Sequence, residues 1–265
     1  MQKGLGTFGR YQWERPSLLT VGRKPQNNLS KSQIYFIEGL ADMETKKEQL
    51  TVERLCLAAK EFCYAESQID FPELVGVTDG KAVGTFVEHR LKRYLSDRFD
   101  VTLGNSASGI DLPSPEINTD IKVTSYRQPQ SSCPYKSSRQ KIFGLGYNLL
   151  VLVYDKKDEN GTSKLEFQNC TFISQERTSD FTTTKRLDEM LHDGAIKEDI
   201  VAYFVDRNIP GDEITLEQLA DEVLERGVTQ GYLTISNALQ WRLQYQRVIM
   251  LSNSVDGIVN YDYKK

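Results

Sequence analysis

Two aspartates and a lysine near the middle of the chain have the residue types and spacing for metal-assisted chemistry on a phosphate. Asp111 stands in Gly109-Ile110-Asp111-Leu112, and Asp120-Ile121-Lys122 follows a turn marked by Pro113 and Pro115. Proline cannot extend a paired strand, so the stretch reads as two short strands, 109 to 112 and 117 to 124, joined by that turn. Side chains alternate along a strand, which puts Asp120 and Lys122 on one face and Ile121 and Val123 on the other. Antiparallel pairing then brings Asp111 beside Asp120. Two carboxylates that close repel each other unless a cation lies between them. Their oxygens are hard ligands suited to magnesium. A lysine beside the metal stabilises a phosphate oxygen or holds a water, which completes the equipment for phosphodiester hydrolysis.

The elements that must position these groups are legible as periodic patterns. Residues 44 to 67 read as a helix on the three- and four-residue spacing of Leu55, Ala58, Ala59, Phe62 and Cys63. Residues 81 to 97 read as a second helix, with Val83, Phe86, Val87, Leu91, Tyr94 and Leu95 on its apolar face and Glu88 on the flank of that face. Phe99 to Leu103 starts the sheet, and Asn105 to Gly109 is a loop. After the central hairpin come a polar loop over 125 to 135 and a short basic helix over 137 to 145, ended by Gly144 and Gly146. Residues 148 to 154 form an apolar strand without alternation, the pattern of a strand buried on both faces. A strand–helix–strand crossover from Lys122 to Tyr154 implies an α/β core. A charged turn over Lys156 to Gly161 and a strand over 164 to 172 follow.

From Thr182 the pattern becomes helical. Three helices are marked by Leu187, Met190 and Leu191; by Ile196, Ile200, Val201, Phe204 and Val205; and by Leu216, Leu219, Ala220, Val223 and Leu224, the last ended by Gly227. A longer helix is expected over 232 to 251 and a strand over 255 to 263. Helix, turn and helix over 215 to 250 have the order of a helix-turn-helix, with Gln240, Gln244 and Arg247 on one face to meet base edges. The alternative is a lobe for packing or dimerisation. The expected organisation is a basic irregular arm over 1 to 32, an α/β core over 33 to 180, and a mainly helical lobe over 181 to 265. The arm reads as a tail or as a segment that wraps DNA or a second subunit.

At 265 residues with 39% hydrophobic and 26% charged residues, the composition is that of a soluble globular protein with a substantial core. No apolar run is long enough to span a bilayer, and the N-terminus lacks the apolar core of a signal peptide, so a cytoplasmic location is expected. Cys56, Cys63, Cys133 and Cys170 are scattered, no Cys-X-X-Cys pair occurs, and His89 and His192 are the histidines, which argues against zinc. Cys133 has no histidine near it in sequence to activate it as a nucleophile. The net charge of −4 hides an uneven distribution. Lys122 to Lys157 holds seven basic residues against Asp155, whereas Asp188 to Arg226 holds twelve acids against three basic residues. The basic middle contains the candidate site.

Asp111 and Asp120-Ile121-Lys122, set on a hairpin after a Glu-bearing helix and before a basic helix and an apolar strand, resemble the signature of the PD-(D/E)XK nucleases and, within them, the type II restriction endonucleases. Ile110 stands where the motif's name has proline. The resemblance spans about residues 80 to 155. It implies a mixed central sheet of the restriction-endonuclease-like type flanked by helices. It also implies magnesium-dependent cleavage of double-stranded DNA at a short specific site, giving 5′-phosphate and 3′-hydroxyl ends. Asp111 and Asp120 would ligate Mg2+ and Lys122 would hold the attacking water. Glu88, on the preceding helix, matches a glutamate that adds to the metal site in such enzymes; its alternative is a surface pair with Lys92, worth about 0.3 kcal/mol. The cluster Lys136, Arg139, Gln140 and Lys141 beside the site would contact DNA phosphates or order the water, or else form a solvated helix face. A homodimer would place one site on each strand, and a cognate DNA methyltransferase would belong to the same system. Two alternatives stay open: a structure-specific or defence nuclease of the same superfamily, and a non-catalytic DNA-binding protein of the same fold.

Overall fold

The computed structural model describes residues 47–104, 109–134, 136–236 and 240–264, so the expected arm over 1 to 32 lies outside the described residues. Residues 47 to 265 form one compact unit. Strand β1 (Glu48–Gln49) leads into helix α1 (Val52–Glu66). The expected helix therefore starts later than residue 44, at the cap where Thr51 Oγ1 accepts from the Arg54 amide at 3.3 Å. Helix α2 (Gly80–Arg98) starts at Asp79, whose carboxylate accepts from the Lys81 amide at 2.9 Å. It buries Val83, Val87, Leu91 and Leu95, one residue per turn. Strand β2 (Phe99–Asp100) is shorter than expected and pairs in parallel with β1, apart from the main sheet.

Strand β3 (Thr119–Ser125) carries Asp120 and Lys122. The first arm of the expected hairpin shrinks to Leu112, which exchanges two backbone bonds with Thr119 at 2.9 and 3.0 Å. Pro113 and Pro115 make continuous pairing impossible, and the Ile117 and Asn118 amides turn back onto the Ser114 carbonyl. Strand β4 (Gln130–Pro134) lies within the expected polar loop and precedes helix α3 (Arg139–Phe143). Gly144 ends α3 at φ 90°, where a Cβ would lie 2.3 Å from the Gln175 carbonyl oxygen, so only glycine fits.

Strands β5 (Asn148–Glu159) and β6 (Thr162–Ile173) form a long hairpin. The charged stretch after Tyr154 continues the strand, and the turn is confined to Asn160-Gly161, both at positive φ. The main sheet has the order β3-β5-β6-β9, where β9 is Ile258–Asp262, with β3 parallel to β5 and the other pairs antiparallel. Its mixed α/β character agrees with the expected fold class. The crossover from β3 to β5 passes through β4 and α3.

Helices α4 (Phe181–His192), α5 (Lys197–Asp206) and α6 (Glu213–Arg226) pack around Leu187, Ile200, Phe204, Leu216, Leu219 and Val223. Beyond them the expected long helix over 232 to 251 is absent. The chain forms β7 (Thr234–Ile235), β8 (Gln240–Gln244) and the single turn α7 (Gln246–Ile249). Trp241, Leu243 and Tyr245 are fully buried and alternate with exposed Arg242 and Gln244, which is the period of a strand. The helix-turn-helix reading and the shared helical face of Gln240, Gln244 and Arg247 fall with that helix. Strand β9 (Ile258–Asp262) then closes the main sheet against β6, so the last part of the expected helical lobe supplies a strand of the central sheet.

Alternation along β5 explains the layers. Leu150, Leu152 and Tyr154 meet α1 and α2 in one apolar cluster. Leu149, Val151 and Val153 meet Trp241, Leu243 and Tyr245 in another. The second cluster lies beneath a three-stranded sheet of order β4-β8-β7. Asp120 pairs in register with Leu149 and Lys122 with Val151, so the candidate site is on the face of the main sheet that the small sheet covers.

Candidate active site

Strand β3 is an edge strand of the main sheet, and its outer backbone groups need partners. Asp111 supplies one: its Oδ2 accepts from the Ile121 amide at 2.8 Å. The backbone is held as well, since the Gly104 amide donates to the Asp111 carbonyl at 2.7 Å. The two carboxyl groups are close enough to act on each other: Asp120 lowers Asp111, and Asp111 raises Asp120. Lys122 Nζ lies 2.7 Å from Asp120 Oδ2. Thus Asp111, Asp120 and Lys122 converge at the start of β3, as the alternation of the sequence implies.

The electrostatics of the acid pair are unequal. Asp120 is only 6% exposed. Burial pushes its carboxyl up to about 6; Lys122 opposes that rise, and the Asp111 charge adds to it. Burial also acts to raise Asp111, but hydrogen bonds from Asp120, Lys92 and the Ile121 amide outweigh it and leave Asp111 below the ordinary value. Two adjacent charges in a buried place are costly, which favours one proton on the pair over two full charges. A hard divalent cation relieves the same repulsion, so the donor set fits magnesium. Magnesium is commonly held by one or two carboxylates, with waters and substrate phosphates as its other ligands.

Glu88 reaches this cluster through Lys92. Lys92 Nζ donates to Glu88 Oε1 at 2.7 Å and also to Asp111 Oδ1. The surface pair and the site are therefore one network. Burial disfavours the Lys92 charge, but its bonds to Asp111 and Glu88 win and raise the ammonium above its ordinary value. With Lys92 between them, Glu88 and Asp111 are not gathered around one point. Among the described residues no group of three or more His, Cys, Asp or Glu side chains is placed to hold a metal ion. The four-residue spacing of Glu88 and Lys92 is visible in the sequence, but nothing there marks that Lys92 crosses to Asp111, 19 residues away. Two tyrosines near the acid pair carry no such signal in the sequence either. Burial raises the Tyr245 and Tyr147 hydroxyls, and each also feels the charge of Asp120 from beneath the small sheet.

The basic cluster on α3 is divided by the fold. Lys136 is exposed. Arg139 forms a forked pair with Glu222 of α6, with its Nε at 2.8 Å and its Nη2 at 2.6 Å from the carboxylate, and lies over the Phe143 ring. Gln140 Nε2 donates to the Leu145 carbonyl at 2.9 Å. Lys141 is 5% exposed and its Nζ donates to the Ile235 carbonyl at 2.7 Å. Burial lowers its ammonium, which the Asp180 charge partly offsets. Lys141 is thus an anchor between α3 and β7, and the expectation that it touches DNA fails because its charge is inside. Cys133 is buried, with its sulfur 3.7 Å from the Tyr147 hydroxyl.

A buried acid pair with a lysine, at the edge of a mixed sheet, defines an α/β protein whose site suits a hard cation and an anionic substrate. A protein-family model described as "Type II restriction enzyme NspV" matches residues 49–260. The type II restriction enzyme NspV of Nostoc sp. (strain ATCC 29411 / PCC 7524) is 52% identical over 212 residues, which cover 79% of this chain and 96% of that protein. No solved structure matches the chain. This chain belongs to the NspV family of type II restriction enzymes. The matched span includes Glu88, Lys92, Asp111, Asp120 and Lys122.

Proposed function

We propose that this protein is a magnesium-dependent type II restriction endonuclease of the PD-(D/E)XK kind, cutting double-stranded DNA at a short specific sequence. The observation that carries the reading is that Asp111 bonds the Ile121 amide between Asp120 and Lys122, which pair on one face of β3. Asp111 and Asp120 would hold Mg2+, which when bound neutralises charge that builds on the phosphate. Lys122 holds the attacking water by donating to its oxygen, and its charge favours the developing hydroxide. Asp120 keeps the Lys122 ammonium in place. Lys92 holds Asp111 and Glu88, and Glu88 acts on the site through Lys92. Exposed Lys136 contributes a phosphate contact.

In-line attack at phosphorus by the held water leaves 5′-phosphate and 3′-hydroxyl ends. A homodimer would bring one site to each strand. A cognate methyltransferase would protect the same sequence in the host, and the enzyme would act in the cytoplasm. The family membership favours sequence-specific cutting over cutting of a DNA structure. Digestion of unmethylated plasmid and phage DNA with Mg2+ separates these readings. Discrete fragments whose 5′ ends accept ligation without kinase treatment are expected. A smear would point to a less specific nuclease. Binding without cutting would point to a non-catalytic module.

A further inference from the structure

The outer face of the small sheet carries a set of side chains that the fold does not use. In the register of β4, β8 and β7, Gln130 pairs with Gln244 and Gln244 with Thr234, while Ser132 pairs with Arg242. Ser236 extends the second row, its Oγ accepting from the Arg242 amide at 2.9 Å. The inner face of the same strands is apolar, with Cys133, Trp241, Leu243 and Ile235 buried against the main sheet. The outer rows are polar and contain no acid. Arg242 and Gln244 are exposed. One Arg242 nitrogen is steadied by Ser132 Oγ at 3.0 Å, and the Gln244 side chain has no partner among the described residues.

Resting on the endonuclease reading above, we infer that this outer face reads base edges of the duplex, with Arg242 and Gln244 as specificity-determining residues. Three observations support this. The major groove admits a β-ribbon, and the side-chain types on this one are those whose planar forks match base edges: arginine with guanine, glutamine with adenine. A sheet face with one cation and no carboxylate can approach phosphates without repulsion. The sheet is also tied to the catalytic strand. Only Tyr126 to Pro129 separate β3 from β4, and Thr124 Oγ1 donates to the Gln130 carbonyl at 3.0 Å and accepts from its amide at 3.1 Å. Tyr245, the residue after β8, is fully buried, bonds to Ser131 and lies within electrostatic reach of Asp120. A groove seated on the outer face is therefore connected to the acid pair through the thickness of one sheet.

The test compares wild type with Arg242→Ala, Arg242→Lys and Gln244→Ala, using magnesium, a plasmid carrying the mapped site, and duplexes with each single base-pair change. Loss of a bidentate base contact should lower the ratio of cognate to substituted-site cleavage by about 5- to 150-fold. The relaxation should be confined to one G·C position for Arg242 and one A·T position for Gln244. Arg242→Lys should relax like Arg242→Ala, because lysine keeps the charge but lacks the fork. Wild-type discrimination in all three variants overturns the inference, as does a uniform loss on every sequence, which marks a phosphate contact. Unchanged discrimination with an altered sedimentation coefficient would assign the face to a second copy and also overturn it. If wild type itself cuts no DNA at discrete sites, the endonuclease reading fails first and is recognised by that result alone.

Discussion

At the scale of single residues, the site is two charged groups, Glu88–Lys92–Asp111 and Asp120–Lys122, that meet where the two aspartates lie side by side. Lys92 fixes an acid on either side and Lys122 fixes Asp120, so removing either lysine displaces its partners. Lys92→Met should keep the fold, because the Met stem covers the same apolar surface, but it frees Asp111 and Glu88 to move apart. Misplacement of about 1 Å at such a site can cost about a hundredfold in rate. Single-turnover cleavage should slow by about that factor, and a wild-type rate would remove Lys92 from the account. The proposed site residues are readable in the sequence because strand alternation and two prolines determine how Asp111 and Asp120 meet. Lys92 was not readable in full. Its helix position is visible in the sequence, but its reach to Asp111 depends on how α2 packs beside β3. Burial also separated the basic cluster in a way that its composition could not show. Arg139 and Lys141 are two residues apart on one short helix; one pairs with Glu222 and the other is enclosed by α3 and β7.

At the scale of elements, the decisive stretch is Gln240-Trp241-Arg242-Leu243-Gln244-Tyr245. Read with a helical period it extends the helices before it. Read with a period of two it is a strand with Trp241, Leu243 and Tyr245 inward, which is what the structure contains. The signal was present in the alternation and in the aromatic residues, which favour strands. Three preceding helices made the wrong period attractive. The difference has a measurable consequence. Leu243→Ala empties a fully buried place and should destabilise by about 2–5 kcal/mol, while Gln244→Ala on the outer face should change stability by less than about 0.5 kcal/mol. Urea unfolding midpoints compare the two, and equal costs would contradict the strand.

A second junction involves Asp180. It caps α4 by accepting from the Thr183 amide at 2.9 Å, and its other oxygen accepts from the Ile235 amide at 2.8 Å. Asp180→Ala removes a cap and a buried bond and should cost about 2 kcal/mol in the same assay. A loss below about 0.5 kcal/mol would show that β7 is held by its apolar contacts alone.

At the scale of the whole molecule, the main sheet is a shared wall. One face packs on α1 and α2; the other carries the acid pair and is covered by the small sheet. Asp120, Lys122 and the proposed reading face are thereby built on strands. The family match spans residues 49–260, nearly the whole of the described unit, and the first 48 residues lie outside it. A chain beginning at Lys47 should therefore fold and cut the same sites. It should also show a shallower dependence of DNA affinity on salt, since Lys3, Arg10, Arg15, Arg23, Lys24 and Lys31 are removed. A folded truncated chain that cuts nothing would place part of the machinery before residue 47.

The central claim is that Asp111, Asp120 and Lys122 form the active site of a magnesium-dependent endonuclease. The most direct measurement is cleavage of plasmid DNA by wild type, Asp120→Ala and Lys122→Ala, each shown to be folded by its thermal unfolding, with Mg2+ and with a chelator. The account predicts discrete fragments from wild type with Mg2+. It also predicts rates lower by at least about a hundredfold in both variants, and no cutting under chelation. Cutting that persists in a folded Asp120→Ala or Lys122→Ala protein would contradict the assignment of the site.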